Sequence, residues 1–358
     1  MTKLKNFNAM KLKTLISLAI IAIAAISCEP KENNRNPQTP EPADEIPFAK
    51  GADIGWYTEM ESKGYKFYSA NGTEMDCPAL MKSLGFNSLR FRVWVNPAEG
   101  WNGKEDLLKK CLRAKELGMA IMIDFHYSDN WADPGKQIIP EAWKDYDLDK
   151  LAAAVAEHTS DVLNMLKSKG IDVSWVQVGN EVTNGMLWEA GRVQGQNAAG
   201  FAKLFKAGAD KVREIYPNAR IILHIDNAWK IDTLNWFYGL MANVGVKYDM
   251  IGLSLYPSYK EDGGYPDWKD KVSKAVANVK TLAGTYKKDI MMVEFGMPAS
   301  EPEASKAALE ALMSGLKAES RFKGIFYWEP ESEKSRNGYD YGAFKDGKAT
   351  IALDPFKN

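Results

Sequence analysis

Cysteine and histidine are scarce, with three of each in 358 residues. Disulfides therefore cannot carry the fold. Cys77 and Cys111 fall in neighbouring predicted helices, and we expect two buried free thiols there, although an oxidising compartment would permit a bridge. No charge of one sign is in excess: the formal net charge is −1, with no basic stripe, which argues against a nucleic-acid partner. No HExxH spacing joins His126 or His224 into a metal site, so no metal is expected. A G-x-S-x-G nucleophile elbow is also missing, and no Gly-rich phosphate loop follows the first strand, where Ile54-Gly55-Trp56 stands.

Long apolar runs are missing too, apart from one of twelve residues at 15–26, too short to span a bilayer as a helix. It follows Lys3, Lys5, Lys11 and Lys13 and ends at Ser27-Cys28, the pattern of a secretory leader. A cysteine behind a small residue at that point resembles a lipoprotein cleavage site, with Cys28 as the acylated residue. The expectation is a leader at 1–27, a Pro-, Asn- and Glu-rich tether at 28–46 and one catalytic domain at 47–358. That places the protein outside the cytoplasm, as a monomer held to the outer membrane only through a lipid, on its periplasmic or outer face.

What is abundant is aromatic: eleven Trp and fifteen Tyr. Flat rings line sugar-binding clefts, although many here will be core. From Phe48 onward, apolar strands alternate with amphipathic helices. The strands are expected at 51–54, 88–93, 120–125, 174–178, 220–225, 250–255, 290–294 and 324–328, and helices at 107–117, 148–169, 198–216, 268–286 and 303–319. Eight βα units in one domain indicate a (β/α)8 TIM barrel; a doubly wound sheet is the alternative.

Such barrels carry their chemistry at the C-terminal strand ends. The polar residues there are Asp53, Arg90, Arg92, Asp124, His126, Asn180, Glu181, His224, Asp226, Tyr256, Glu294 and Glu329. Glu181 and Glu294 each end a short apolar strand, on strands four and seven. A retaining glycosidase needs two carboxyls roughly 5 to 5.5 Å apart, one an acid/base and one a nucleophile. Glu294 has no basic neighbour in sequence, so its charge must be met from another strand, by Arg90 or Arg92. Glu329 is the rival nucleophile, or else a rim residue beside Trp328, and Asp124 is a weaker candidate.

Gly51-Ala52-Asp53, Leu89-Arg90-Phe91-Arg92-Val93-Trp94, the stretch Asp124-Phe125-His126-Tyr127-Ser128-Asp129-Asn130-Trp131-Ala132-Asp133-Pro134-Gly135, Gln177-Val178-Gly179-Asn180-Glu181 and Phe326-Tyr327-Trp328-Glu329-Pro330 resemble glycoside hydrolase family 53. These are endo-β-1,4-galactanases. The resemblance implies Glu181 as acid/base and Glu294 as nucleophile, with retention. It implies sugar contacts from Asn180, Arg90 or Arg92, His126, His224 and Tyr256, a stacking floor at Trp328, and Asp129, Trp131 and Asp133 framing the cleft, with Asp226 beside them. Trp94 and Trp131 could equally be core. The substrate implied is pectic galactan or arabinogalactan.

Two features depart from the family. Glu294-Phe295-Gly296-Met297-Pro298 replaces the usual Glu-Thr-x-x-Pro, and 299–303 runs almost directly into a helix without the acidic calcium ligands of some bacterial members. No cofactor is expected, and the calcium site is expected to be absent. The alternatives are a related barrel acting on mannan or glucan, and a non-catalytic glycan-binding surface lipoprotein. The second would gain nothing from keeping two carboxylates.

Overall fold

Eight parallel strands close on one another: β1 (Ala49–Asp53), β2 (Ser88–Val93), β3 (Ala120–Phe125), β4 (Trp175–Val178), β5 (Arg220–Ile225), β6 (Met250–Leu255), β7 (Asp289–Phe295) and β8 (Phe322–Trp328). Each bonds its neighbours in sequence, and β1 pairs with both β2 and β8, so the sheet has no edge. The (β/α)8 barrel expected from the alternation is the fold. These features come from a computed structural model that describes residues 47–260 and 264–357. The expected leader, the acylated Cys28 and the tether lie outside the described residues.

Helices Cys77–Ser83, Lys104–Glu116, Leu148–Ser168, Ala199–Ile215, Ile231–Asn243, Trp268–Tyr286 and Pro302–Leu316 follow the first seven strands. Side chains of Asp76, Asp147 and Asp267 cap three of them by accepting from backbone N–H groups in the first turn. After β8 there is a short helix, Lys334–Asn337, and a 3₁₀ segment, Ile351–Lys357. The latter packs back by stacking Phe356 on Phe86, centroids 4.4 Å apart. Cys77 and Cys111 are both buried free thiols.

The two-residue period of a strand decides what enters the barrel. Leu89, Phe91 and Val93 of β2 face the helices in the outer core, so Ser88, Arg90 and Arg92 face inward. The same rule turns Asp124, Gln177, His224 and Ser254 to the interior. Below them Met122, Trp175, Ile222, Met250, Met291 and Phe326 form an apolar plug. Gly51 makes room for it: a Cβ there would lie 2.1 Å from the Phe326 ring.

Strict alternation would turn Glu294 outward, because Met291 and Val293 are both in the plug. A β-bulge corrects this. Leu253 pairs with Met292 but Ser254 pairs with Glu294, leaving Val293 as the extra residue. The bulge re-aims Glu294 into the barrel mouth.

Candidate active site

Four strand ends turn sharply at the mouth. Tyr127, Glu181, Asn227 and Glu329 adopt positive φ of 44–54° although none is glycine. Such backbone costs of order 1–3 kcal/mol per residue and persists only where the surroundings enforce it. Here it turns the chain sharply at the ends of β3, β4, β5 and β8. Glu181 faces the cleft, while Tyr127 is turned back into the outer core, where its hydroxyl bonds Thr159.

Arg90 lies at the centre, 1% exposed. Its Nη1 donates to Asp53 Oδ2 at 2.5 Å and its Nε to Gln177 Oε1 at 2.7 Å. Its Nη2 reaches Asp124 Oδ2 at 2.9 Å, Asn180 Oδ1 at 2.9 Å and Glu294 Oε1 at 3.0 Å. The cation that meets Glu294 is therefore Arg90. Tyr256 donates its hydroxyl to the other Glu294 oxygen at 2.8 Å.

Arg92 does something else. It is equally buried, ion-paired to Glu329, with its guanidinium carbon 4.4 Å from the Trp131 ring centre and 5.1 and 5.5 Å from those of Trp56 and Trp94. It supports the tryptophans from beneath and does not line the cleft. Glu329 is fully buried, which corrects its expected place on the rim and removes it as a rival to Glu294.

Both histidines are held neutral by burial, which lowers their basicity. His126 Nδ1 accepts from Trp94 Nε1 and the Ala132 N–H, so its proton sits on Nε2 and points to Asp124 Oδ2 at 3.0 Å. His224 Nδ1 accepts from the Glu181 N–H and lies 2.8 Å from Gln177 Nε2, which puts its proton on Nε2, toward Ser254 Oγ at 2.8 Å. Ser254 also favours the Glu181 carboxylate, a smaller effect than burial and the neighbouring acids.

The two carboxyls face one cleft of about 230 Å³. His126, Trp131, Asp133, Asn180, Tyr256, Tyr259, Trp328 and Tyr339 line it with them. Burial raises both carboxyls above their ordinary range. Arg90 and the Tyr256 hydroxyl pull Glu294 back down. Among the described residues no cation is paired with Glu181; Glu294 and then Asp226 push it up further. Of the two, Glu181 therefore holds a proton the more strongly and Glu294 ionises the more readily.

Other expected site residues lie behind the cleft. Asp129 accepts from the Asn96 and Glu141 backbone N–H groups, tying two loops together. Asp226 bonds Thr183 and Asn227. His224 is fully buried and acts through its neighbours. Trp94 packs among Trp131, His126 and Arg92, while Trp131 reaches the cleft. Sequence reasoning missed Gln177 and Ser254, which alternation along β4 and β6 could have found. It also missed Tyr259 and Tyr339, which sit on loops with no periodic signal. A wider surface hollow of about 950 Å³, around Trp143 and Tyr146, shares no residue with the cleft. Among the described residues, no group of three or more His, Cys, Asp or Glu is arranged to hold a metal ion.

Beside Glu294, Phe295 and Met297 are fully buried, Phe295 against Tyr327 with centroids 5.6 Å apart. Gly296 lets the Tyr256 ring approach: a Cβ there would lie 2.6 Å from Tyr256 Cε1.

The family model of glycosyl hydrolase family 53 matches residues 49–352. A probable arabinogalactan endo-β-1,4-galactanase A of Neosartorya fischeri is 32% identical over 305 residues, covering 78% of this chain and 83% of that one. An arabinogalactan endo-β-1,4-galactanase of Thermothelomyces thermophilus is 31% identical over 304 residues, covering 78% and 89%. Among solved structures, a fungal β-1,4-galactanase superposes with a TM-score of 0.78 at 27% identity, covering 87% of this chain and 99% of that one.

Two substitutions separate the carboxyl environments, read by a site-resolved ¹³C-carboxyl titration. Tyr256→Phe removes a donor to the Glu294 anion, so the Glu294 midpoint rises; an unchanged midpoint contradicts the assignment. Asp226→Asn removes a negative neighbour of Glu181, so the Glu181 midpoint falls, and a rise would contradict it.

Proposed function

Because the chain belongs to glycosyl hydrolase family 53, we propose that it is an endo-β-1,4-galactanase, cleaving galactan and arabinogalactan chains internally with retention of configuration. The observation that carries this reading is the pair of carboxyls in unequal surroundings, Glu181 without a cation and Glu294 against Arg90, on one cleft. The names of the curated relatives support galactan as the substrate.

In the first step the Glu294 carboxylate attacks the anomeric carbon as the glycosidic C–O bond breaks. Glu181 gives its proton to the departing oxygen, and a glycosyl ester forms on Glu294. In the second, Glu181, now ionised, takes a proton from water. The water oxygen attacks the anomeric carbon, the ester bond breaks, and both carboxyls return to their starting states. As the ester forms, Glu294 loses the negative charge that raises Glu181, so Glu181 gives up its proton more readily.

The remaining side chains orient the sugar. The Asn180 amide is fixed by Arg90 and by its own bond to the Ala132 carbonyl at 2.8 Å, which leaves its second amide N–H for a sugar hydroxyl. Trp328 supplies an apolar floor for the ring at the cleavage point, held by Trp56, Trp131 and Tyr339. His126 and Tyr256 close its sides. The basic and apolar start ending at Cys28 supports export and a lipid anchor for this enzyme.

Glu294→Ala is expected to release no reducing ends from galactan while still binding it in affinity electrophoresis; full activity in that variant overturns the nucleophile. Faster release by the unmodified chain from mannan or glucan than from galactan would overturn the substrate.

A further inference from the structure

The connection after β7 is only six residues, 296–301, before the helix Pro302–Leu316 begins. It is tied down by the Ala299 N–H, which donates to the Asp340 carbonyl at 2.8 Å. The loops after β6 and β8 also touch each other. Tyr259 of the first lies on Tyr341 of the second, centroids 5.3 Å apart and planes 16° apart. Tyr265 meets the same ring edge-on at 6.2 Å. The Lys260 N–H donates to the Tyr341 hydroxyl at 2.7 Å, which fixes the contact.

Two of these three rings are not core. Tyr341 is 5% exposed, but Tyr259 is 58% exposed and Tyr265 38%. Two large rings held to water by a buried third are an arrangement that folding alone does not favour. The patch is continuous with the cleft. Tyr259 lines the cleft directly, and Tyr341 leads through Tyr339, at 5.9 Å, to Trp328, at 4.7 Å.

We propose that Tyr259 and Tyr265, backed by Tyr341, form a distal sugar-binding platform that holds the galactan chain beyond the unit at the cleavage point. A pyranose presents an apolar C–H face suited to an exposed ring, and each tyrosine hydroxyl can bond the sugar's hydroxyls at the ring's edge. The rings are pre-organised by Tyr341, so little side-chain freedom is lost on binding. This inference rests on the galactanase reading above and adds to it where the chain is gripped. The platform is built from the β6 and β8 loops, which the stacked rings and the Lys260–Tyr341 hydrogen bond hold together.

The test uses the full chain and two variants, Tyr259→Ala and Tyr259→Trp, with kcat/KM measured on long linear galactan and on the shortest galacto-oligosaccharide the unmodified chain cleaves. Because Tyr259 is mostly exposed, neither change removes a core residue. The expected result is a fall of about tenfold in the polymer-to-oligosaccharide ratio for Tyr259→Ala, equivalent to about 1.4 kcal/mol of lost chain binding. Tyr259→Trp, which keeps a flat ring, restores the ratio. A ratio unchanged in Tyr259→Ala overturns the platform, since a purely structural role would lower both values together. An unmodified chain that cleaves neither substrate overturns the galactanase reading, and the platform's ligand with it.

Discussion

One buried guanidinium organises the top of this barrel. Arg90 places its five N–H donors among Asp53 from β1, Asp124 from β3, Gln177 and Asn180 from β4 and Glu294 from β7. No other group could neutralise carboxylates arriving from three strands while fixing two amides. Removing one partner from such a buried network typically costs about 3–5 kcal/mol, because the remaining charges are left without water or counter-charge. The arrangement is thus a constraint as well as an interaction: these strands have to close in this register for Arg90 to be satisfied.

The functional asymmetry follows from where Arg90 can reach. Glu294 is within its range and Glu181 is not. The resulting division of one proton between two buried acids is the condition for one to donate while the other attacks. Around Glu181, His224 accepts the Glu181 backbone N–H and is itself held by Ser254, which fixes the residue without supplying a positive charge, because burial holds His224 neutral. Arg92, two residues along the same strand, serves the aromatic wall instead. It anchors the tryptophans through their faces and is itself held by Glu329. Two arginines of one strand therefore support the two halves of a glycosidase cleft, the charged half and the flat half.

Much of this was legible in the sequence. Eight apolar stretches with helical periodicity between them define the barrel, and the strand-end carboxylates Glu181 and Glu294 stand out because nothing else in a buried strand would tolerate them. The period of two predicts that Arg90, Asp124 and His224 point inward. What was not legible was tertiary. The bulge at Val293, which turns Glu294 into the site, leaves no mark in a run of apolar residues. Arg90 and Arg92 have the same residue type, strand and inward direction, and only the packed neighbours separate their tasks. Glu329 reads as a strand-end acid like the others, yet Arg92 claims it. Tyr259 and Tyr339 belong to loops of different strands, and only the folded chain brings them to one cleft.

In the proposed mechanism Glu294 forms and then releases a covalent glycosyl intermediate while Glu181 shuttles the proton. Proton NMR of galactan hydrolysis, followed from the first seconds before mutarotation, reads this directly. Double displacement delivers the β-anomer first and the α-anomer only as equilibration proceeds. An α-anomer formed first would mean single displacement by water and would contradict it.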